Sequence, residues 1–560
     1  MDRSDFVIVG GVAAGPKTAA TLARRLPGAK ITLYQKETRL SYATCGMPFF
    51  ASGEISGFDE LTKTAFGVVR DEEFFHSSRG FDAVTGAEVI SINRETKTVT
   101  VRMVETGETF EHGYGKLVLA TGAEPNVPHF PVPDSPMVRH FTRPDDAMHF
   151  RSLAERGQVE NVVIIGSGFI GCELVEAMCD MWGINTTLVE KEDHLLPYAL
   201  DADMAAIVQR QMEKHDVKVI TGAAVDRVEL NNDGAPVVHV REHGEFPADY
   251  VFLCVGVHPS VALAKEAGLE IGKFGGIVVD EHMQTSDPDI YAGGDCVEST
   301  HRLTGRKLYL PMGSIANRHG RVIAENLAGF PAKFNGVLGA FVLRLFELNI
   351  GTVGLSADAA KVAELDMSEV WGSFTDKPDY FPESKSFVLK MVYENGTDRL
   401  LGMQAIGEGY INRRIDVFSS FLQREAVIDD LLDFEHSYAP PFSEALDPLH
   451  QMAGIAIAKK RGMNILGPGD RVTSEGNAVW IDVREKDEVA AAPLPPEYGN
   501  GKAVAIPLNE VVARIGELNP DDRIVVICKR GARSYQAAVL LKARKFVDVN
   551  ILGGGLQALS

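Results

Sequence analysis

Cysteine is scarce in this chain of 560 residues: there are six, widely spaced, and they make neither a disulfide framework nor a zinc-ligand set. The 15 histidines form no ligand-like cluster, so no metal is expected. Positive charge is short as well, with 56 Lys and Arg against 77 Asp and Glu, a formal net charge of −21. That balance argues against nucleic acid, because binding phosphates needs a dense basic footprint. No apolar run is long enough to span a bilayer, so no membrane contact is expected. Residues 1–5 lead straight into the strand-like FVIVGG, leaving no room there for a signal peptide. The expectation is a cytoplasmic protein with reduced thiols, ordinary globular composition and three or four domains.

What the chain does have is glycine in telling places. Phe6-Val7-Ile8-Val9, then GGVAAG, an Ala/Leu-rich run and KITLYQK read as strand, turn, helix, strand. Gly10 and Gly15 hold the first and third positions of a dinucleotide fingerprint, with Val12 in the middle. Such a turn aims backbone N–H groups at a pyrophosphate. Gln35 stands where an acid normally bonds the adenosine ribose. A buried βα turn with no ligand would account for this unit equally well. The second unit, NVVIIGSGFIGCELVEAM, carries Gly166, Gly168 and Gly171, and TTLVE ends its next strand at Glu190. An acid there favours NADH, since it repels a 2′-phosphate. LVLATGAEP (117–125) and FLCVGVHP (252–259) read as strand-to-glycine turns, and IYAGGDC (290–296) sets Asp295 after a strand and a glycine pair.

This order of motifs resembles the flavin-dependent pyridine nucleotide-disulfide oxidoreductases over residues 1 to about 455. The resemblance implies an α/β, glutathione reductase-like fold with two Rossmann-like domains. FAD would bind residues 1–150 with 251–332, NAD(P)H residues 151–250, and an α+β dimerisation domain would span 333–455. The FAD contacts implied are Gly10, Gly15, Gln35, Ala120, Thr121, Gly122 and Asp295, the last on the ribitol. Gly166, Gly168, Gly171 and Glu190 would hold NADH, with NADPH less favoured.

Dithiol members carry two cysteines a few residues apart beside the flavin; SYATCGMPFF (41–50) has only Cys45. It resembles the motif S-F-x-N-C-G-L-P-Y of coenzyme A-disulfide and persulfide reductases at Ser41, Cys45, Gly46 and Pro48, with Thr44 and Phe49 in place of asparagine and tyrosine. A helix N-terminus and a nearby flavin are expected to lower the pKa of this thiol. DYFPESK (379–385) and HSYAPPFSEALDPL (436–449) resemble the same branch. By that resemblance Tyr380 and Tyr438 of the partner subunit in a homodimer donate a proton to a leaving thiolate, a task that suits a neutral phenol. The position after Tyr380 is Phe381, where a second tyrosine is common. Coenzyme A contacts are implied for Arg24, Ser41, Thr44 and Arg413. Tyrosines on a packed interface and surface arginines are the plainer readings of these residues.

Residues 456–475 read as a linker. Beyond it VWIDVRE (479–485), AVAIPL (503–508) and RIVVICKRGARSYQAAVLLKARKF (523–546) alternate as a small α/β domain, 476–560. Cys528 opens a loop of Lys529, Arg530, Gly531, Ala532, Arg533 and Ser534, in which backbone N–H groups would stabilise a thiolate or persulfide anion. Lys529, Arg530 and Arg533 are expected to add positive charge. With Asp482 and Arg484 the loop resembles rhodanese, which makes Cys528 a sulfur carrier. Cys172, Cys179, Cys254 and Cys296 read as packing residues. The whole pattern is similar to coenzyme A-disulfide reductase–rhodanese fusions. It implies an NADH-dependent, FAD-containing coenzyme A-persulfide or polysulfide reductase, with coenzyme A disulfide as a further substrate. An NADH oxidase or peroxidase cycling Cys45 through a sulfenic acid remains open. So does a redox-responsive protein that binds flavin and coenzyme A without fast turnover.

Overall fold

The computed structural model describes residues 2–470, 478–495, 498 and 503–559. They form two compact units, one of residues 2–191 with 223–337 and the other of 192–222 with 338–559.

In the first unit the strand Asp2–Val9 pairs in parallel with Ile31–Tyr34 on one side and Thr109–Leu119 on the other. The helix Ala14–Arg25 is the crossover. Ile290–Ala292 adds a further parallel strand beside 117–119, which brings residue 295 to the sheet edge occupied by the first glycine turn. Strands Ile31–Tyr34 and Ile290–Ala292 are buried at every residue, as parallel strands covered on both faces must be. Thr98–Met103 and Ala87–Asn93 extend the sheet with antiparallel pairing. A second parallel sheet is centred on Asn161–Ile165, which lies between Asn185–Val189 and Tyr250–Leu253.

In the second unit an antiparallel sheet runs in the order Phe341–Leu345, Leu348–Gly354, Leu400–Gly407, Ser386–Glu394, Met367–Thr375. Leu400–Gly407 is buried along its whole length. The segment 192–222, expected within the nicotinamide domain, belongs to this unit, and its helix Ala202–Lys214 is tied to the sheet by charge. Lys390, 3% exposed, lies 2.9 Å from Asp201, 2.9 Å from Asp203 and 3.1 Å from Glu369. Burial opposes the ammonium charge, yet the three carboxylates raise the Lys390 pKa. Burial likewise works against the Asp201 charge, but Lys390 and the N–H groups of Asp358 and Ala357 hold its carboxyl below the ordinary range.

The final domain is a parallel sheet in the order Asn464–Leu466, Val549–Leu552, Ile524–Ile527, Val479–Asp482, Val504–Ala505. The expected linker is therefore not irregular throughout. Its first residues complete the helix Pro448–Lys460, and Asn464–Leu466 joins the sheet as an edge strand because the buried Ile465 has a partner in Ile551. Gly467 then passes so close to Trp371 that a Cβ would lie 2.5 Å from the indole. Residues 471–475 of the expected linker and 476–477 of the expected final domain lie outside the described residues.

Lys390→Met would leave three carboxylates facing one another. Breaking a buried pair from one side typically costs about 3–5 kcal/mol, so urea unfolding at pH 7 should show a loss of that order. The deficit should shrink as pH falls through the carboxylate range, because protonation removes the repulsion in the variant while Asp201 loses its depressed-pKa contribution in the parent.

Candidate active site

Both glycine turns are built on contacts that exclude a side chain. Gly10, at φ 111°, is so close to the neighbouring strand end that a Cβ would lie 2.0 Å from the Ala120 carbonyl oxygen, and one on Gly15 would lie 1.9 Å from that of Gly10. The second turn repeats this: Gly166, at φ 103°, meets the Cys254 carbonyl at 2.3 Å, and Gly171 meets that of Gly166 at 2.0 Å. The acceptor after each second strand also answers its own loop. Gln35 Oε1 accepts the Gly11 N–H at 2.7 Å, while Glu190 Oε2 accepts both the N–H and the hydroxyl of Ser167 at 2.7 Å. Nothing lies within 4 Å of a Cβ built on Gly122 or Gly168, so both glycines border open space.

Asp295 follows the strand Ile290–Ala292, and burial raises its carboxyl to about 6. Thr121 holds the opposite turn by donating to the Ser260 carbonyl at 2.6 Å. Next to Asp295, burial pushes His319 down to about 3, which leaves a neutral ring whose Nδ1 accepts the Gly294 N–H at 3.2 Å. His319 Nε2 and the Tyr309 hydroxyl are buried with no partner among the described residues. Glycine approaches, a buried carboxyl and unpartnered polar atoms in one region fit a polyhydroxylated dinucleotide such as FAD.

Cys45 lies on the single turn Thr44–Gly46, which runs into the five-residue helix Met47–Ala51. Gly46 packs against Leu61, whose Cδ2 would lie 2.4 Å from an added Cβ and would have to shift to admit one. The segment is pinned from the second sheet's domain: Arg151 donates to the carbonyls of Phe50, Ile55 and Ser56, and Trp182 Nε1 to that of Ala51 at 2.9 Å. Cys45 is exposed to solvent, although surrounding protein still desolvates its sulfur in part. Burial and the Glu173 carboxylate raise its pKa, with the Thr44 hydroxyl working the other way. This differs from the lowered value expected. Its own helix is too short for much of a dipole, although the long helix Gly313–Leu327 begins where a Gly313 Cβ would lie 4.0 Å from Sγ.

Two neighbours escaped sequence reading. Arg70 donates to the carbonyls of Thr62 and Leu61 and, at 3.4 Å, to the hydroxyl of Ser41, a residue with φ 47°. Glu173, on the helix Phe169–Glu176, is itself raised to about 7 by burial and Glu176. Neither carries a motif; only the fold brings Glu173 to Cys45 and Arg70 to Ser41. Arg24 is exposed at the end of the first helix and donates to Thr21 Oγ1 at 3.2 Å.

In the second unit Tyr380 is 74% exposed and Tyr438 51%. Arg413, expected to meet phosphates, reaches the carbonyls of Ser437 and Phe442 at 3.4 Å and so braces the loop that carries Tyr438. The buried Arg414 anchors the same loop through Asp447 at 3.2 Å. Tyr380 follows Asp379, whose carboxylate takes both guanidinium nitrogens of Arg530, one at 3.0 Å.

The Cys528 loop thus meets the Tyr380 segment directly. Cys528 is buried, its sulfur accepts the Gly531 N–H at 3.0 Å, and Gly531 adopts φ 96° as the helix Ala532–Ala543 begins. A C-terminal turn closes over the loop: Leu556 N–H donates to the Cys528 carbonyl, and a Cβ on Gly555 would lie 2.5 Å from that oxygen. Asp482 and Arg484 form a buried pair, 2.7 Å, that also bonds the carbonyls of Glu488 and Ala492. Ser534 Oγ is buried with no partner among the described residues, and Ala532 opens the helix. Arg530 and Arg533 do not stand as open positive charge, whereas the exposed Lys529 has no ion pair among the described residues. Arg533 binds Glu488 through two contacts of 2.6 and 2.8 Å, and Lys529 feels the Asp379 carboxylate that holds Arg530. Of the remaining cysteines, 172 and 296 are buried while 179 and 254 are only half-buried, and no group of side chains among the described residues could hold a metal.

With this geometry the chain belongs to the pyridine nucleotide-disulphide oxidoreductase family, whose model matches residues 4–316. The dimerisation domain of that family matches 343–450 and a rhodanese-like domain 470–560, so an oxidoreductase is fused to a rhodanese-like domain. A solved NAD-dependent persulfide reductase from A. fulgidus is 35% identical, with a TM-score of 0.94 over 99% of this chain and 100% of that one. Two curated relatives are each 33% identical over 81% of this chain and 98% of their own length. They are an NADH oxidase of Methanocaldococcus jannaschii and an NAD(P)H coenzyme A polysulfide/persulfide reductase of Pyrococcus horikoshii.

Because Glu173 raises the Cys45 pKa, Glu173→Gln should lower it. Alkylation of Cys45 by iodoacetamide above pH 8, where Glu173 is ionised, followed by mass spectrometry, should become severalfold faster.

Proposed function

We propose that the protein reduces coenzyme A persulfide, and polysulfide delivered through Cys528, with NADH as electron donor. The observation that carries this reading is the Arg530–Asp379 pair, which ties the sulfur-carrier loop to the residue next to Tyr380. A domain that loads sulfane sulfur would thus sit beside a side chain that serves sulfur reduction.

In this reading the Cys45 thiolate attacks the inner sulfur of a coenzyme A persulfide, forming a mixed disulfide and expelling hydrosulfide. Coenzyme A disulfide reacts the same way and expels a thiol. Tyr380 and Tyr438 of the partner subunit donate a proton to the departing sulfur, in keeping with their exposure and with Arg413 bracing the second. The exposed Tyr380, Tyr438 and Phe442 support a homodimer interface there. Ser41, Thr44, Arg70, Arg24 and Arg413 would border the coenzyme A path. The first glycine turn and Asp295 would hold FAD, and the second turn with Glu190 would hold NADH. FAD, when bound, supplies the two-electron chemistry that links NADH to the Cys45 mixed disulfide. Arg151 and Trp182 keep the cysteine turn fixed against the second sheet's domain while the disulfide forms and breaks.

The relative named as an NADH oxidase favours one other reading, in which Cys45 cycles through a sulfenic acid. Anaerobic NADH consumption with coenzyme A persulfide, polysulfide, coenzyme A disulfide and peroxide separates the two. Sulfide release should fall by about 10³-fold or more in Cys45→Ser, as for the loss of a nucleophile. Tyr380→Phe should lower turnover by roughly 10²-fold. Cys528→Ser should cut polysulfide turnover and spare coenzyme A persulfide. Faster consumption with peroxide than with any sulfur substrate would decide for the oxidase reading.

A further inference from the structure

We infer that Asp379 and Glu488 set the donor specificity of the Cys528 loop, admitting singly charged persulfides and rejecting dianions of the thiosulfate type. The inference rests on the reading of Cys528 as a sulfur carrier and extends it to the chemical class of donor.

The loop contributes three cations; its two arginines each face a carboxylate supplied by another part of the unit, and Lys529 stays exposed without an ion pair among the described residues. Arg530 is gripped at both terminal nitrogens by Asp379, which comes from the dimerisation domain and is 61% exposed. Lys529 lies within electrostatic reach of the same carboxylate. Arg533 is held fork to fork by Glu488, which also accepts the Glu485 N–H as the cap of the helix Lys486–Ala491. Glu485 adds a further negative charge near Arg533, and Arg484 is committed to Asp482. Bidentate contacts fix the guanidinium planes, so an incoming anion meets neutral pairs and must compete with a carboxylate for every fork.

Negative charge on Cys528 itself meets the Gly531 N–H, 3.0 Å from the sulfur, and the field of the already paired Arg533. That suits one charge on sulfur. The Cys528 thiolate takes the outer sulfur of R–S–S⁻, breaking the S–S bond, forming the cysteine persulfide anion and releasing R–S⁻. The corresponding step with thiosulfate releases sulfite. Both are transfers of sulfane sulfur with no external oxidant or reductant. They differ in the charge brought to the mouth of the loop, and like charges placed together there raise the barrier for the dianion. Asp379 and Glu488 are thus positioning residues that act through Arg530 and Arg533.

The test uses the full chain carrying Cys45→Ser, so that sulfur transfer is read apart from reduction. The persulfide of 2-mercaptoethanol, which carries a single charge, and thiosulfate are the donors, coenzyme A is the acceptor, and mass spectrometry of Cys528 reports loading. The parent should prefer the persulfide by kcat/KM. Asp379→Asn and Glu488→Gln should each raise the thiosulfate-to-persulfide ratio, by about tenfold per carboxylate. Asp379→Glu and Glu488→Asp, which keep the charge, should restore the preference; a purely structural role would not move this ratio. If Glu488→Gln fails to fold, Asp379→Asn, altered at an exposed site outside the rhodanese sheet, decides alone. Loading of Cys528 with an unmoved ratio would overturn this inference and leave the sulfur-carrier reading standing. No loading from either donor would overturn both.

Discussion

Four backbone approaches leave no room for a methyl group: Gly10 on Ala120, Gly15 on Gly10, Gly166 on Cys254 and Gly171 on Gly166. At 1.9–2.3 Å from a carbonyl oxygen, no real Cβ could exist at any of them. The first approach in each pair locks a βα turn to the end of a neighbouring parallel strand, and the second lets the helix begin directly above its own strand. The helix N–H groups, Gln35 or Glu190 and the facing strand end are thereby brought together. Asp295 joins the first of these regions because its strand pairs beside 117–119.

Charge neutralisation is the second theme, at three sites of different character. Lys390 is surrounded by carboxylates in the interior of the second unit, fastening the helix Ala202–Lys214 to the sheet. Around Cys45 burial and two carboxylates, Glu173 and Asp295, outweigh the Thr44 hydroxyl, so the chain alone makes the thiol less acidic. Around Cys528 the two arginines that look so evident in the sequence are each answered by a carboxylate, while Lys529 stays exposed. Arginine in a loop signals an anion site only when the fold leaves its fork available.

The family, the domain types and the turn residues were legible because they rest on local order: a strand, a glycine at fixed spacing, an acceptor at the end of the next strand. The rhodanese loop was legible for the same reason, its cysteine and glycine lying within a few residues at the start of a helix. Arg70 and Glu173 were invisible, since nothing in their sequence neighbourhood points to Cys45. Arg413 was visible as a charge but not in its use, bracing the loop of Tyr438. The linker was misplaced at its start because the short run Asn464–Leu466 pairs with a strand more than 80 residues away, which no local pattern reveals.

By itself the sequence determined where the chain must turn tightly and which cysteines stand in chemically meaningful surroundings, because those depend on backbone freedom and residue order. Tertiary structure alone decided the electrostatics: which carboxylates raise Cys45, which holds Arg530, and which three close on Lys390. A charge acts across space over several ångströms, whatever the distance along the chain, and Asp379 reaches Arg530 across 151 residues of sequence.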